Sequence, residues 1–191
     1  MKRMNMLLIA GAAVITAIGL VALAGLGAMA VVMFDLMSGT ATGSETLTPA
    51  GSPAGHALVV YNPGLTGGAK TVAAAIAGDL KDAGYSVVLA GVKSRAAADV
   101  AGYDVIVVGG PVYAGNASGS IRSYLGQLDP AEGAKVGAFG CGSKEIDNAD
   151  RTAVLADVAG DTTLDIRAAL KLTQWDDRDE ECAAFVDRLL G

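Results

Sequence analysis

The sequence predicts a doubly wound α/β domain with a five-stranded parallel sheet, placed behind a membrane-spanning helix. Three observations lead to this class. Apolar strand-like runs alternate with helix-like stretches from residue 57 onward, which is typical of a parallel sheet covered on both faces. Residues 7–34 contain no charged side chain, and residues 37–56 are mostly small or hydroxylated. The folded domain is therefore expected to span 57–191.

The apolar segment 7–34 is longer than the ~20 residues that a helix needs to cross a bilayer. A short basic segment, residues 1–6, precedes it with Lys2 and Arg3. A cleaved signal peptide is the alternative, because "AMA" at 28–30 has the form of a cleavage site. Signal peptides have an apolar region of only ~7–15 residues. We therefore predict a single-pass anchor in the cell membrane.

The charges that flank this segment predict its orientation. Lys2 and Arg3 lie before it, and no Lys or Arg occurs between Asp35 and Ala69. The positive-inside rule then places the N-terminus in the cytoplasm and the domain outside it. A cytoplasmic domain is the alternative. Residues 35–56 contain no aromatic side chain that could pack in a core, and they are expected to form a flexible linker.

Composition excludes several classes of function. The formal net charge of −6 disfavours nucleic-acid binding, which needs a basic surface. The chain has one His and two cysteines, Cys141 and Cys182, without metal-ligand spacing. We therefore predict no metal site and assign no catalytic residue. A disulfide between the two cysteines stays open, and Cys141 is interpreted as a small apolar filler, with a reactive thiol as the alternative.

The elements follow one another in regular order. Glycine at position 84 ends the first helix, and the apolar side chains of each helix recur along one face. The last strand alternates apolar and polar residues, which predicts a half-exposed edge strand. Trp175, before the last helix, is expected to be a packing anchor. Strands are predicted at 57–62, 86–92, 104–110, 135–141 and 164–172, and helices from about Thr66, near Ser118–Leu128, at Asp147–Val158 and from about Asp176.

Three loops follow the first, third and fourth strands, at 62–68, 110–116 and 141–147. Ligands of doubly wound sheets bind outside the carboxyl ends of the strands. The first of these loops, "NPGLTGG", leads from a strand into a helix N-terminus, where unpaired backbone N–H groups and the helix dipole favour an anion. The sequence thus predicts an anion-binding site at this edge of the sheet.

At these loops the sequence resembles the flavodoxin family. The segment "GLTGGAKTVA" is similar to the family's phosphate loop, "YDVIVVGGPVYAG" at 103–115 to its second flavin loop, and "GAFGCGS" at 137–143 to its third. The resemblance implies a flavodoxin-like strand order of 2-1-3-4-5, FMN as cofactor and electron transfer as activity. It implies the cofactor-binding residues Gly64, Leu65, Thr66, Gly67, Gly68, Ala69, Pro111, Val112, Tyr113, Ala114, Gly115, Cys141, Gly142 and Ser143.

The chain departs from the family's pattern at two places. Gly64 and Ala69 stand where the phosphate loop has hydroxyl side chains, which leaves Thr66 and backbone N–H groups as the expected phosphate donors. Tyr113 is the only aromatic residue in the three loops. It is expected to cover one face of the flavin ring, with an ordinary loop tyrosine as the alternative.

The expected function is that of a membrane-tethered FMN protein that transfers electrons to a redox partner protein not identified by the sequence. A flavin-dependent oxidoreductase, of the quinone reductase or protoporphyrinogen-oxidising type, is one alternative. A flavodoxin-like interaction module that has lost FMN is the other.

Overall fold

A computed structural model describes residues 41–191 and the single positions 16, 21, 27 and 29, which are helical. The basic segment 1–6 and, apart from those four positions, the predicted membrane span 7–34 lie outside the described residues. Among the described residues, no helix is both long and apolar enough to traverse a bilayer.

The domain alternates strands and helices along the chain. The strands are β1 (Ser44–Leu47), β2 (Gly55–Tyr61), β3 (Tyr85–Gly91), β4 (Val105–Tyr113), β5 (Asn116–Ala117), β6 (Lys135–Cys141) and β7 (Ile166–Leu172). The helices are α1 (Gly68–Asp82), α2 (Gly119–Leu125), α3 (Arg151–Val158) and α4 (Arg178–Leu190).

The main sheet has the order β1-β3-β2-β4-β6-β7. The five strands β3, β2, β4, β6 and β7 pair in parallel. Numbered by their own sequence order, these five have the predicted order 2-1-3-4-5, which confirms the flavodoxin-like α/β topology. Strand order reverses between β2 and β4, so this is the place where a doubly wound sheet binds its ligand.

Strand β1 lies within the segment that was expected to be a flexible linker. Its four residues pair antiparallel with β3, from Ser44 opposite Ala90 to Leu47 opposite Val87. The pairing covers backbone groups that would otherwise form an open sheet edge. Leu47 also packs against the core. The expectation of a structureless 35–56 segment is therefore wrong for Ser44–Leu47, and the first parallel strand begins at Gly55 rather than 57.

Each face of the sheet has its own apolar core. One core joins α1 and α4 through side chains that include Ile76, Phe139 and Phe185. The other joins α2 and α3 through Ile121, Val154 and the opposite side of the strands. Because the central strands are buried on both faces, their sequences are continuous apolar runs.

Strand β7 is the sheet edge, as predicted, but it is not half exposed. Arg167 is its only exposed residue. Asn148 covers the free edge: its Oδ1 accepts from Lys171 N–H at 2.9 Å, and its Nδ2 donates to the carbonyl of Lys171 at 3.1 Å. The side-chain amide of Asn148 thus makes the two hydrogen bonds that the backbone of a further strand would make with Lys171.

Trp175 does not anchor the domain, because 76% of its surface is exposed. The preceding turn is closed by Asp176, whose Oδ2 accepts from the backbone N–H of Thr173 at 2.6 Å and from its hydroxyl at 3.0 Å. Helix α4 begins at Arg178, slightly after the predicted start near Asp176, and Asp177 caps it by accepting from Glu180 N–H. Asp176 therefore stabilises the turn, and the indole points outward.

Candidate functional site

The loops after β2, β4 and β6 lie side by side because these strands are neighbours in the sheet. The register places Tyr61 opposite Gly109 and Pro111 opposite Cys141 at the carboxyl ends. The loop 62–67 is named here the first loop, residues 113–116 the second loop, and residues 142–149 the third loop. The structure thus brings the three predicted ligand segments to one edge.

Asn62 joins the first loop to the segment that follows the second. The residue is fully buried, and its Nδ2 donates to Ser120 Oγ at 2.8 Å and to Ser118 Oγ at 3.2 Å. Its Oδ1 accepts from Gly64 N–H at 3.0 Å. The sequence prediction missed this residue. A polar side chain placed directly after an apolar strand, at the ligand end of the sheet, is the signal that could have identified it.

Two glycines shape the first loop. Gly64 and Gly67 have φ of 68° and 77°, a left-handed conformation that costs other residues energy. A Cβ on Gly64 would lie 3.2 Å from Pro111 Cβ, whereas none of the described atoms lies within 4 Å of a Cβ on Gly67. Gly64 therefore packs against the end of β4, while Gly67 leaves open space at the start of α1.

The start of α1 presents unpaired backbone donors. Within residues 41–191, no hydrogen bond involves the backbone N–H of Leu65, Thr66, Gly67, Ala69 or Lys70, and Gly68 N–H makes only a 3.4 Å contact with Thr66 Oγ1. The first turn of α1 contains no acidic residue. Bare N–H groups at a helix N-terminus without a competing carboxylate fit an anion such as a phosphate.

The second loop is a tight hairpin. Strand β4 ends at Tyr113, and β5 returns antiparallel from Asn116. Ala114 and Gly115 between them have φ of 50° and 77°, as in the two-residue turns that suit right-twisted hairpins. Tyr113 is half-buried, whereas Val112 is buried in the core and offers only its backbone to a ligand.

The third loop leaves β6 at Cys141 and packs against the end of β4. Gly142 N–H donates to the carbonyl of Leu172 at 3.0 Å, so this N–H is not available to a ligand. A Cβ on Gly142 would lie 2.9 Å from the carbonyl oxygen of Val112, too close for any other residue. Ser143 is exposed beside it.

The two cysteines are free thiols in this structure. Burial, with a smaller contribution from Cys182, raises the pKa of Cys141 to about 12. Burial likewise raises the pKa of Cys182 to about 12. Because a nucleophilic cysteine needs a lowered pKa, both thiols stay protonated at neutral pH, which favours the apolar-filler interpretation of Cys141.

The fold and these loops together define a flavodoxin-like α/β protein with unpaired backbone donors at the N-terminus of α1. The chain belongs to the flavodoxin domain family, whose model matches residues 58–184. No curated protein matches the chain significantly.

Solved structures show the same fold. Oxidised flavodoxin 2 from Bacillus cereus superposes with a TM-score of 0.51 at 20% identity, and the match covers 71% of this chain and 97% of that protein. A flavodoxin from Streptococcus pneumoniae TIGR4 gives a TM-score of 0.50 at 18% identity, with the same two coverages. The similarity supports the domain topology described above.

FMN is the cofactor of this domain family, and the first loop of this chain fits its phosphate. The fit rests on the open space at Gly67, the Thr66 hydroxyl and the unpaired N–H groups of Leu65, Thr66, Gly67, Ala69 and Lys70. Tyr113 and the backbone of the second and third loops would border the ring. The roles of individual residues in this site stay predictions.

Proposed function

We propose that this protein is a membrane-tethered flavoprotein that uses FMN to transfer electrons to a protein partner. The flavodoxin domain supports FMN binding and electron transfer in general. The observation that carries the proposal is the set of unpaired N–H groups at the start of α1, next to the open space at Gly67. A dianionic phosphate satisfies several of these donors at once.

The residues of the chain would act by binding and positioning. When bound, FMN supplies one- or two-electron transfer. The first loop would hold the phosphate, Asn62 keeps that loop fastened to Ser118 and Ser120, and Tyr113 would shield one face of the ring from water. Among residues 41–191 and the four described positions before them, no group of three His, Cys, Asp or Glu side chains could hold a metal ion.

The function is tested by titrating the full chain, in detergent, with FMN. We expect saturable binding with quenched flavin fluorescence, and reduced protein that passes electrons to a one-electron acceptor. Binding followed by sustained NAD(P)H or quinol turnover would instead favour a flavin-dependent oxidoreductase. Absence of FMN binding would favour the interaction module, an alternative supported by the missing hydroxyls at Gly64 and Ala69.

The Tyr113→Leu variant is expected to bind FMN about fivefold more weakly and to regain part of the flavin fluorescence. Leucine keeps the bulk but removes the aromatic ring, and aromatic stacking contributes ~0.5–1.5 kcal/mol beyond burial. Fluorescence titration measures both quantities. Tyr103→Leu, a half-buried tyrosine outside the three loops, is the control. Unchanged affinity and quenching in Tyr113→Leu would show that Tyr113 does not contact the flavin.

We further propose that residues 7–34 anchor the protein in the cell membrane with the domain outside the cytoplasm. The four described positions in this segment are helical, and Lys2 and Arg3 are the basic residues that flank it. Protease added to intact cells is expected to degrade the domain. Complete protection until the cells are lysed would contradict this orientation and favour a cytoplasmic domain.

A further inference from the structure

Two charged side chains form an ion pair inside the domain. Lys171 of β7 is only 2% exposed, and Asp157 of α3 is 7% exposed. Lys171 Nζ donates to Asp157 Oδ2. The other two ion pairs of residues 41–191, Lys81–Asp82 and Arg178–Asp179, have partly or largely exposed side chains. The pair Lys171–Asp157 is called here the buried pair.

The buried pair lies next to the second and third loops. A Cβ on Gly115 of the second loop would lie 3.3 Å from Asp157 Oδ1. A Cβ on Gly142 of the third loop would lie 3.6 Å from Lys171 Cε. The backbone of Lys171 is in turn held by Asn148 of the third loop. One ion pair thus lies close to the two segments that border the predicted flavin ring.

Packing alone does not require charges at this position. Burying two ions costs desolvation energy that their attraction repays only with good geometry, and apolar side chains of similar volume are often equally stabilising. The neighbours on this face of the sheet, such as Val112, Val158 and Ala169, are apolar. An ion pair among them, close to the second and third loops, therefore points to a role toward the ligand.

We propose that Lys171 and Asp157 are positioning residues that hold the second and third loops, and that their opposite charges balance each other's effect on the relative affinity of the site for oxidised and reduced flavin. This inference rests on the proposed FMN function. Reduction adds electrons to the flavin, so the Lys171 cation favours the reduced form and the Asp157 anion opposes it. In the wild-type protein the two effects largely cancel.

The test uses the full chain in detergent with FMN and compares Asp157→Asn, Lys171→Met and the double variant. The readout is the ratio of the affinities for reduced and oxidised FMN, from the midpoint potential and a fluorescence titration. We expect Asp157→Asn to raise this ratio and Lys171→Met to lower it, each by about tenfold. The double variant should return to within about threefold of the wild type.

A purely structural pair would give a different result. Loss of packing would weaken binding of both redox forms in parallel, so shifts of the ratio in the same direction, or no shift in folded variants, would overturn the proposal. If a single variant fails to fold, the double variant and Lys171→Arg, which keeps the charge, provide the comparison. The proposal is overturned if Lys171→Arg changes the affinity ratio as strongly as expected for Lys171→Met.

The exposed pair Lys81–Asp82 provides the matched control. Lys81→Met and Asp82→Asn remove the same charges far along α1 from its N-terminus, and both are expected to leave the ratio unchanged. Wild-type protein that does not bind FMN would overturn the proposed function and this inference together. Wild-type protein that binds FMN, with variants that fail to shift the ratio in opposite directions, would overturn the inference alone.

Discussion

The Asn62→Ala variant is expected to lose about 2–4 kcal/mol of unfolding free energy and to bind FMN more weakly than the wild type. Asn62 makes three hydrogen bonds in a fully buried position, to Gly64 N–H and to the hydroxyls of Ser118 and Ser120. Alanine leaves Gly64 N–H without its partner and leaves the Ser118 and Ser120 hydroxyls only their mutual 3.3 Å hydrogen bond. Each buried unsatisfied polar group costs about 1–3 kcal/mol. Equilibrium urea unfolding of the apo protein measures the loss.

Asn116→Ala is the control for this prediction. Asn116 is an exposed asparagine of the neighbouring hairpin, whose Nδ2 donates to the carbonyl of Ala114 at 3.1 Å. Because water can replace this hydrogen bond, its removal is expected to cost less than about 0.5 kcal/mol. Asn62→Ala protein as stable as Asn116→Ala would mean that the first loop does not depend on Asn62.

The parallel sheet could be predicted from sequence because its signal is local. Each central strand is an unbroken apolar run followed by a glycine-containing loop, and both features depend only on residues that are adjacent in the chain. The order of these five strands then followed from the family resemblance and is confirmed by the structure. The strands of the sheet were thus predictable from local sequence, whereas their order needed the family resemblance.

The parts that could not be predicted depend on contacts between distant segments. Strand β1 has no apolar run of its own, and it forms because the edge of β3 offers backbone partners. Lys171 sits at a position of an alternating strand that usually faces water, but Asp157 and Asn148 make its burial possible. Trp175 was expected to pack because it is large and apolar, yet the Thr173–Asp176 hydrogen bonds form a turn that directs its side chain outward.

The site shows the same division between local and distant signals. Thr66 and Gly67 were predicted because the turn resembles the family's phosphate loop, and the structure places them at the N-terminus of α1. Asn62 was missed because its partners, Ser118 and Ser120, lie more than fifty residues away. Its importance becomes visible only when β2 and β4 are neighbours in the sheet.

FMN is expected to bind at least about 100-fold more tightly than riboflavin, which lacks the phosphate. Five backbone N–H groups near the start of α1 have no partner among the described residues, and hydrogen bonds to a charged group contribute about 1.5–3 kcal/mol each. Two such bonds already account for a 100-fold difference, which corresponds to about 2.7 kcal/mol. Parallel fluorescence titrations of the wild-type protein measure the ratio.

The Thr66→Val variant should lower FMN affinity by about tenfold and leave riboflavin affinity unchanged, since valine removes the hydroxyl but keeps the shape of the side chain. Thr71→Val is the matched control, because the hydroxyl of Thr71 lies within α1 and donates to the carbonyl of Gly67 at 3.4 Å. This control should affect neither ligand. Equal affinities of the wild-type protein for FMN and riboflavin would show that the start of α1 does not hold a phosphate, and the flavin would then have to be bound by the second and third loops alone.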